Sequence, residues 1–240
     1  MKELGTFFTG EFETINFPST KILLGKSGFD KSYYRDELFR ICEIKFPHAL
    51  VNAVVKRKSE FLAGRYCAKR LLKNFGIYNF QIDIAKGRQP TWPAGYVGSI
   101  THSDRLAVAA LASTQNYQAI GIDVEPIIDQ ESYQQIKTAT TSVSEIFLIA
   151  NTCKNTFLRD FTLIFSLKES FFKAIYPSFG DYFDFSAIEI QHIEHENQEF
   201  YFLVKQNFPG IVNKNSIQKG YYIQLDTQTY LTMFSIKTSK

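Results

Sequence analysis

Two long stretches of helical periodicity, each followed by short alternating apolar segments, constrain this chain more than any other feature. From Lys56 to Asn74, Phe61, Leu62, Tyr66, Ala68, Leu71 and Leu72 recur at helical spacing, with Lys56, Arg57, Lys58, Arg65, Lys69, Arg70 and Lys73 between them. The pattern predicts an amphipathic helix that ends near Gly76. A second helix is predicted from Asp160 to Tyr176. Phe80–Ile84, Val97–Ile100, Leu106–Ala112 and Ala119–Val124 read as strands after the first helix, with turn residues at Gly87-Arg88-Gln89-Pro90 and Trp92-Pro93-Ala94-Gly95. After the second, Ala187–Ile190, Phe200–Leu203 and Tyr221–Leu225 alternate as in a terminal antiparallel sheet. The stretch through Pro47 reads as strands and loops, and the Thr/Ser-rich 130–144 as a loop with helix ends.

Long helices alternating with short strands predict an α/β (α+β) fold. Ala68-Lys69-Arg70-Leu71-Leu72-Lys73 also weakly echoes Leu167-Lys168-Glu169-Ser170-Phe171-Phe172-Lys173, each on a long helix with a sheet after it. The echo suggests two similar halves, residues 1–115 and 116–240.

Composition narrows the function classes. The 240 residues are enough for a substantial core, and 23 Phe with 13 Tyr are read as core and sheet packing rather than base stacking. A net charge of +3 suits anionic small molecules or an acidic partner, and no dense Lys/Arg run marks a nucleic-acid footprint. No apolar run approaches the ~18 residues of a membrane span. The first ten residues lack the basic and apolar regions of a signal peptide. Cys42, Cys67 and Cys153 are odd in number and widely spaced, so they read as free thiols in a reducing compartment, the cytoplasm.

Three segments carry the chemistry. Gly98-Ser99-Ile100-Thr101-His102-Ser103 comes first, then Gly121-Ile122-Asp123-Val124-Glu125, then Phe165-Ser166-Leu167-Lys168-Glu169-Ser170-Phe171-Phe172-Lys173-Ala174. Asp123 and Glu125, two apart on a strand, leave the same face and repel unless a cation lies between them. Taken alone, such a pair is more often a solvent-facing strand end. Glu169 and Lys173 are neighbours on one helix face. On an exposed helix they would be a routine surface pair, but the apolar residues around them imply burial and hence a partner or cleft. His102, with Thr101 and Ser103 beside it at a strand exit, suits phosphate contact, and Arg57, Arg65 and Arg88 are the arginines best placed to grip phosphates. Each of these four also has an ordinary structural reading. Acidic oxygens with cations around them are what a hard divalent cation and a phosphorylated substrate require together. His192-x-x-His195 lacks further zinc ligands, and Ser99 lacks a nucleophile elbow.

Together with Glu60-Phe61-Leu62-Ala63-Gly64-Arg65 and Trp92-Pro93-Ala94-Gly95, these segments resemble the 4'-phosphopantetheinyl transferases, within the Sfp-like group the enterobactin synthetase component D type. The similarity runs from about residue 45 to 190. It implies a pseudo-two-fold pair of similar α/β subdomains, each a small mainly antiparallel sheet on a long helix. It also implies transfer of the phosphopantetheine arm of coenzyme A to a serine of an apo carrier protein, releasing 3',5'-ADP, a holo-carrier-protein synthase activity that serves siderophore or other nonribosomal peptide biosynthesis.

By the same resemblance Asp123, Glu125 and Glu169 hold Mg²⁺ and Lys173 offsets phosphate charge. Thr101, His102 and Arg88 line the coenzyme A phosphate pocket, with Arg57 and Arg65 as further candidates, and the N-terminal half contributes these contacts. The serine proton goes to Glu169 or to a metal-bound water. The departures, Thr101 for Ser and Val124 for Ile, preserve polarity or shape. Acyl, aryl or peptidyl carrier domains are the expected partners, with the apolar stretch Phe161–Phe165 as their docking surface and one chain forming the whole cleft as a monomer. Two other functions remain open: a coenzyme A or carrier binding module without catalysis, and a Mg²⁺-dependent phosphohydrolase.

Overall fold

The computed structural model describes residues 4–17, 20–150 and 156–238, and Cys153 lies outside them. The chain divides into two compact units, one running to Gln118 and taking in the chain from Lys237, the other Ala119–Ile236.

The first unit is built on α3 (Val55–Asn74), which follows the short helices α1 (Leu4–Phe7) and α2 (Glu37–Ile41). Its four-stranded antiparallel sheet has the order β1-β2-β4-β3, from β1 (Glu13–Asn16), β2 (Leu23–Gly28), β3 (Tyr96–His102) and β4 (Leu106–Ser113). The apolar stripe read from the sequence, Leu62, Ala68, Leu71 and Leu72, is buried in the core with Ala107, Ala109 and Leu111 of β4. Small residues on β4 let the helix lie close. On β3, Gly64 of α3 faces Ile100, where a side chain at 64 would come within 2.7 Å of Ile100 Cγ2. The helix stops at Phe75, and Gly76 follows at φ 74, a backbone that favours glycine.

The second unit is built on α6 (Phe157–Phe179) and a five-stranded sheet of order β5-β9-β8-β7-β6. The strands are β5 (Tyr117–Pro126), β6 (Ile188–Glu194), β7 (Glu199–Val204), β8 (Ile217–Gln224) and β9 (Thr229–Lys237). The abundant phenylalanine is core, as expected: Phe171 packs against Phe183, Phe202, Phe208 and Phe234 with ring centroids 5.2 to 5.9 Å apart. Gly220 on β8 leaves room for Leu167 of the helix. Gly180, at φ 83, caps α6 through its N–H to Tyr176 O.

Three expectations need correction. Phe80–Ile84 forms no strand beyond an isolated bridge from Ile84 to Pro90, because the Arg65 side chain takes Ile82 O and Thr91 takes both backbone groups of Asp83. The 130–144 region is mostly helix, α4 (Gln130–Thr140) and then α5 (Val143–Ala150). Asp129 starts α4 by accepting the Ser132 N–H at 2.8 Å. The stretch Phe161–Phe165 is no docking surface, since Phe161, Leu163 and Ile164 are fully buried and Phe165 packs on Phe185. Alternate faces of the α6 N-terminal half are both covered, which the period alone does not reveal.

Candidate active site

Alternation along β5 puts Gly121, Asp123 and Glu125 on one face, and α6 lies directly on it. A Cβ at Gly121 would overlap Ser170 O and come within 2.6 Å of Ala174 N, so only glycine permits this approach. Helical spacing places Ser166, Glu169, Ser170 and Lys173 on one side of α6. Lys173 Nζ donates to Asp123 Oδ1 at 2.6 Å and Ser166 Oγ donates to Oδ2 at 2.9 Å. Asp123 is only 3% exposed, so both carboxylate oxygens meet a donor within the protein.

Burial pushes the Glu169 carboxyl above the usual carboxylate range. Lys173 pulls it back, and the Asp123 charge pushes it up further. Glu125, half-buried, sits two residues along the strand from Asp123. Among the described residues no group of three or more His, Cys, Asp or Glu side chains is gathered closely enough to hold a metal ion. The donor chemistry nonetheless suits Mg²⁺: the groups are all oxygen, and Asp123 and Glu169 feel each other as like charges, which a divalent cation relieves.

In the first unit, His102 ends β3 on the same strand face as Ile100, toward α3. Arg57 Nη1 is 3.5 Å from His102 Nε2, and Glu60 Oε2 is 3.7 Å from His102 Nδ1. Lys56 extends the chain of charges, 3.8 Å from Glu60 and 2.6 Å from Asp104. Burial raises the Glu60 carboxyl, while Lys56 and Arg57 oppose that rise.

The expected residues therefore separate into groups. Asp123, Glu169 and Lys173 meet in the second unit, with Glu125 beside them on β5. Arg57 and His102 meet in the first. Thr101 is buried on the strand face opposite His102. Arg88 is exposed at the turn its sequence predicts, at φ 70, a strained conformation for a residue with a side chain. Arg65 is 7% exposed, its Nε donating to Ile82 O at 2.9 Å and its guanidinium stacked 4.5 Å from the Phe61 ring.

Several participants escaped the sequence reading. Glu60, one turn from both Lys56 and Arg57, was signalled by its spacing. Lys168, beside Glu169, is buried and donates to Glu145 Oε2 at 2.7 Å and Thr140 O at 2.8 Å. Desolvation lowers its pKa against the pull of Glu145. Glu145 in turn accepts the backbone N–H of Ile190 and of Ser142. No local pattern marks that pair.

Two units that each pack a sheet on one long helix, with carboxylates and a lysine between β5 and α6, define a class for which family models exist. The model of the 4'-phosphopantetheinyl transferase N-terminal domain matches residues 46–112, and that of the 4'-phosphopantetheinyl transferase superfamily matches residues 119–225. The chain belongs to this superfamily.

Among individual proteins, it is 38% identical over 130 residues to enterobactin synthase component D of Escherichia coli (strain K12), covering 53% of this chain and 60% of that protein. It is 33% identical over 141 residues to the 4'-phosphopantetheinyl transferase Svp of Streptomyces mobaraensis, covering 59% and 57%. To the 4'-phosphopantetheinyl transferase Npt of Nocardia iowensis it is 38% identical over 79 residues, covering 33% and 36%. The chain spans between 36% and 60% of the length of these relatives. No helix among the described residues is long and apolar enough to cross a membrane.

Proposed function

We propose that this chain moves the 4'-phosphopantetheine arm of coenzyme A to a serine hydroxyl of an apo carrier domain and releases 3',5'-ADP, in the cytoplasm and within a siderophore or other nonribosomal peptide pathway. The observation that carries the reading is the Lys173–Asp123 pair at 2.6 Å with Glu169 beside it, in the two segments where the family resemblance is strongest.

Asp123, Glu125 and Glu169 would hold Mg²⁺, which when bound neutralises pyrophosphate charge and stabilises the oxygens that gain charge during transfer. Lys173 offers its ammonium to the same phosphates. Glu169, which lies beside Lys173 and Asp123, is the carboxylate placed to take the serine proton. A bond forms from the serine oxygen to the β-phosphorus, and the bond from that phosphorus to the bridging oxygen breaks. The electron pair leaves with 3',5'-ADP. Arg57, Arg88 and His102 serve the coenzyme A phosphates, Thr101 packs in the core behind them, and Arg65 braces the segment that leads to Arg88.

The test is to incubate the protein with coenzyme A, Mg²⁺ and an apo carrier domain and to weigh the intact carrier. A mass gain of one phosphopantetheine group, abolished by Asp123→Ala or by removing Mg²⁺, supports transfer. Coenzyme A bound but unchanged identifies a binding module, and its consumption without a carrier identifies a phosphohydrolase.

A further inference from the structure

A buried chain of hydroxyl groups runs through the second unit to Asp123. Ser170 Oγ lies 2.7 Å from Thr232 Oγ1, which lies 2.9 Å from Ser166 Oγ, which lies 2.9 Å from Asp123 Oδ2. Ser166 and Ser170 come from α6, Thr232 from β9 and Asp123 from β5. All three hydroxyl residues are 0% exposed. Thr232 lies beyond the 119–225 stretch that the superfamily model matches.

Proton counting gives the chain a direction. A carboxylate paired with the Lys173 ammonium can only accept, so Ser166 must donate to it. Ser166 has then spent its one proton and must accept from Thr232. Thr232 in turn accepts from Ser170, whose hydrogen is shared with Thr232 O at 3.1 Å. The Ser166 and Thr232 protons both point toward Asp123, and the Ser170 proton is divided between Thr232 Oγ1 and the Thr232 carbonyl. Hydrogen bonds aligned head to tail polarise one another, and in a buried site the terminal acceptor is held in one orientation.

We infer that Thr232, acting with Ser170 through Ser166, is a positioning residue that orients the Asp123 carboxylate for a divalent cation. The inference rests on the proposed Mg²⁺ role of Asp123. Groups that hydrogen-bond a metal-ligating side chain alter metal affinity about 10- to 100-fold when removed. Three elements are tied by one hydroxyl, so the C-terminal strand β9 takes part in a site otherwise assembled from β5 and α6.

The experiment compares Mn²⁺ binding, followed by electron paramagnetic resonance, in the whole chain and in two variants of one position. Thr232→Val keeps the shape and removes the hydroxyl. Thr232→Ser keeps the hydroxyl and removes the methyl. Wild type is expected to bind Mn²⁺, Thr232→Ser to bind within about twofold of it, and Thr232→Val to bind about tenfold more weakly while its circular dichroism stays native.

Equal Mn²⁺ affinity in folded Thr232→Val and wild type overturns the positioning role while the metal reading stands. No Mn²⁺ binding by wild type overturns both. Should Thr232→Val not fold, Ser170→Ala takes its place, with an expected weakening of about threefold from loss of the far donor. Unchanged affinity in that variant overturns the inference.

Discussion

Lys173 Nζ sits 2.6 Å from Asp123 Oδ1, fifty residues away in the chain, and this contact joins α6 to β5 at the candidate site. The ammonium is partly exposed while the carboxylate is almost wholly buried. The pair is thus asymmetric: Asp123 depends on Lys173 more than Lys173 depends on Asp123.

Lys173→Met should accordingly destabilise the fold by about 1–3 kcal/mol, because it removes the ammonium from a buried carboxylate that Ser166 also hydrogen-bonds. Asp123→Asn should cost less, and the double variant less than the sum of the two, which urea denaturation of all four proteins would reveal. Strict additivity would mean that the contact contributes nothing to stability.

Glu169 sets a pH dependence. Its folded-state pKa is raised by burial, so between the unfolded value of 4.5 and the higher folded value the native state holds a proton that the unfolded state has lost. Stability from this group is therefore fully present below pH 4.5 and falls as pH rises through the folded pKa. Glu169→Gln should flatten that slope, raising Tm at neutral pH and leaving it little changed in acid. The same variant should lower phosphopantetheine transfer about 100-fold or more if Glu169 accepts the serine proton.

Gly121→Ala tests how closely β5 and α6 must pack. The new methyl meets backbone on both sides, which cannot swing away as a side chain would. A loss of about 2 kcal/mol or more is expected, together with slower transfer as Glu169 and Lys173 shift off Asp123. A variant as stable and as active as wild type would show that the helix can move outward without consequence.

Arg57 tests the first unit. It is exposed and 3.5 Å from His102, so Arg57→Ala should change stability by no more than about 0.5 kcal/mol. If the arginine grips a coenzyme A phosphate, KM for coenzyme A should rise about tenfold, and the difference should shrink with added salt. An unchanged KM would remove Arg57 from the phosphate contacts.

Much of this was legible before any coordinates. The period of Leu62, Ala68, Leu71 and Leu72 places α3 to within one residue at its start, and the alternation at Phe200–Leu203 finds β7. Asp123 and Glu125 share a strand face, and Glu169 and Lys173 a helix side, by spacing alone. The failures have identifiable causes. Phe80–Ile84 alternates like a strand, yet Arg65 competes for its backbone. The helix Gln130–Thr140 carries few apolar residues, so its cap at Asp129 was the better signal. Phe161–Phe165 is apolar because it is core.

Element type, same-face pairs and the acidic and basic character of the site are properties of neighbours within about one helical turn or two strand residues, and local patterning suffices for them. Which oxygen of Asp123 meets which donor is another matter. Thr232 stands 66 residues from Ser166, and it reaches the site because β9 lies next to β5 in the sheet. Sheet order is set by how the whole unit buries its apolar surface, so contacts between remote residues follow from the packed fold and not from any short stretch of chain.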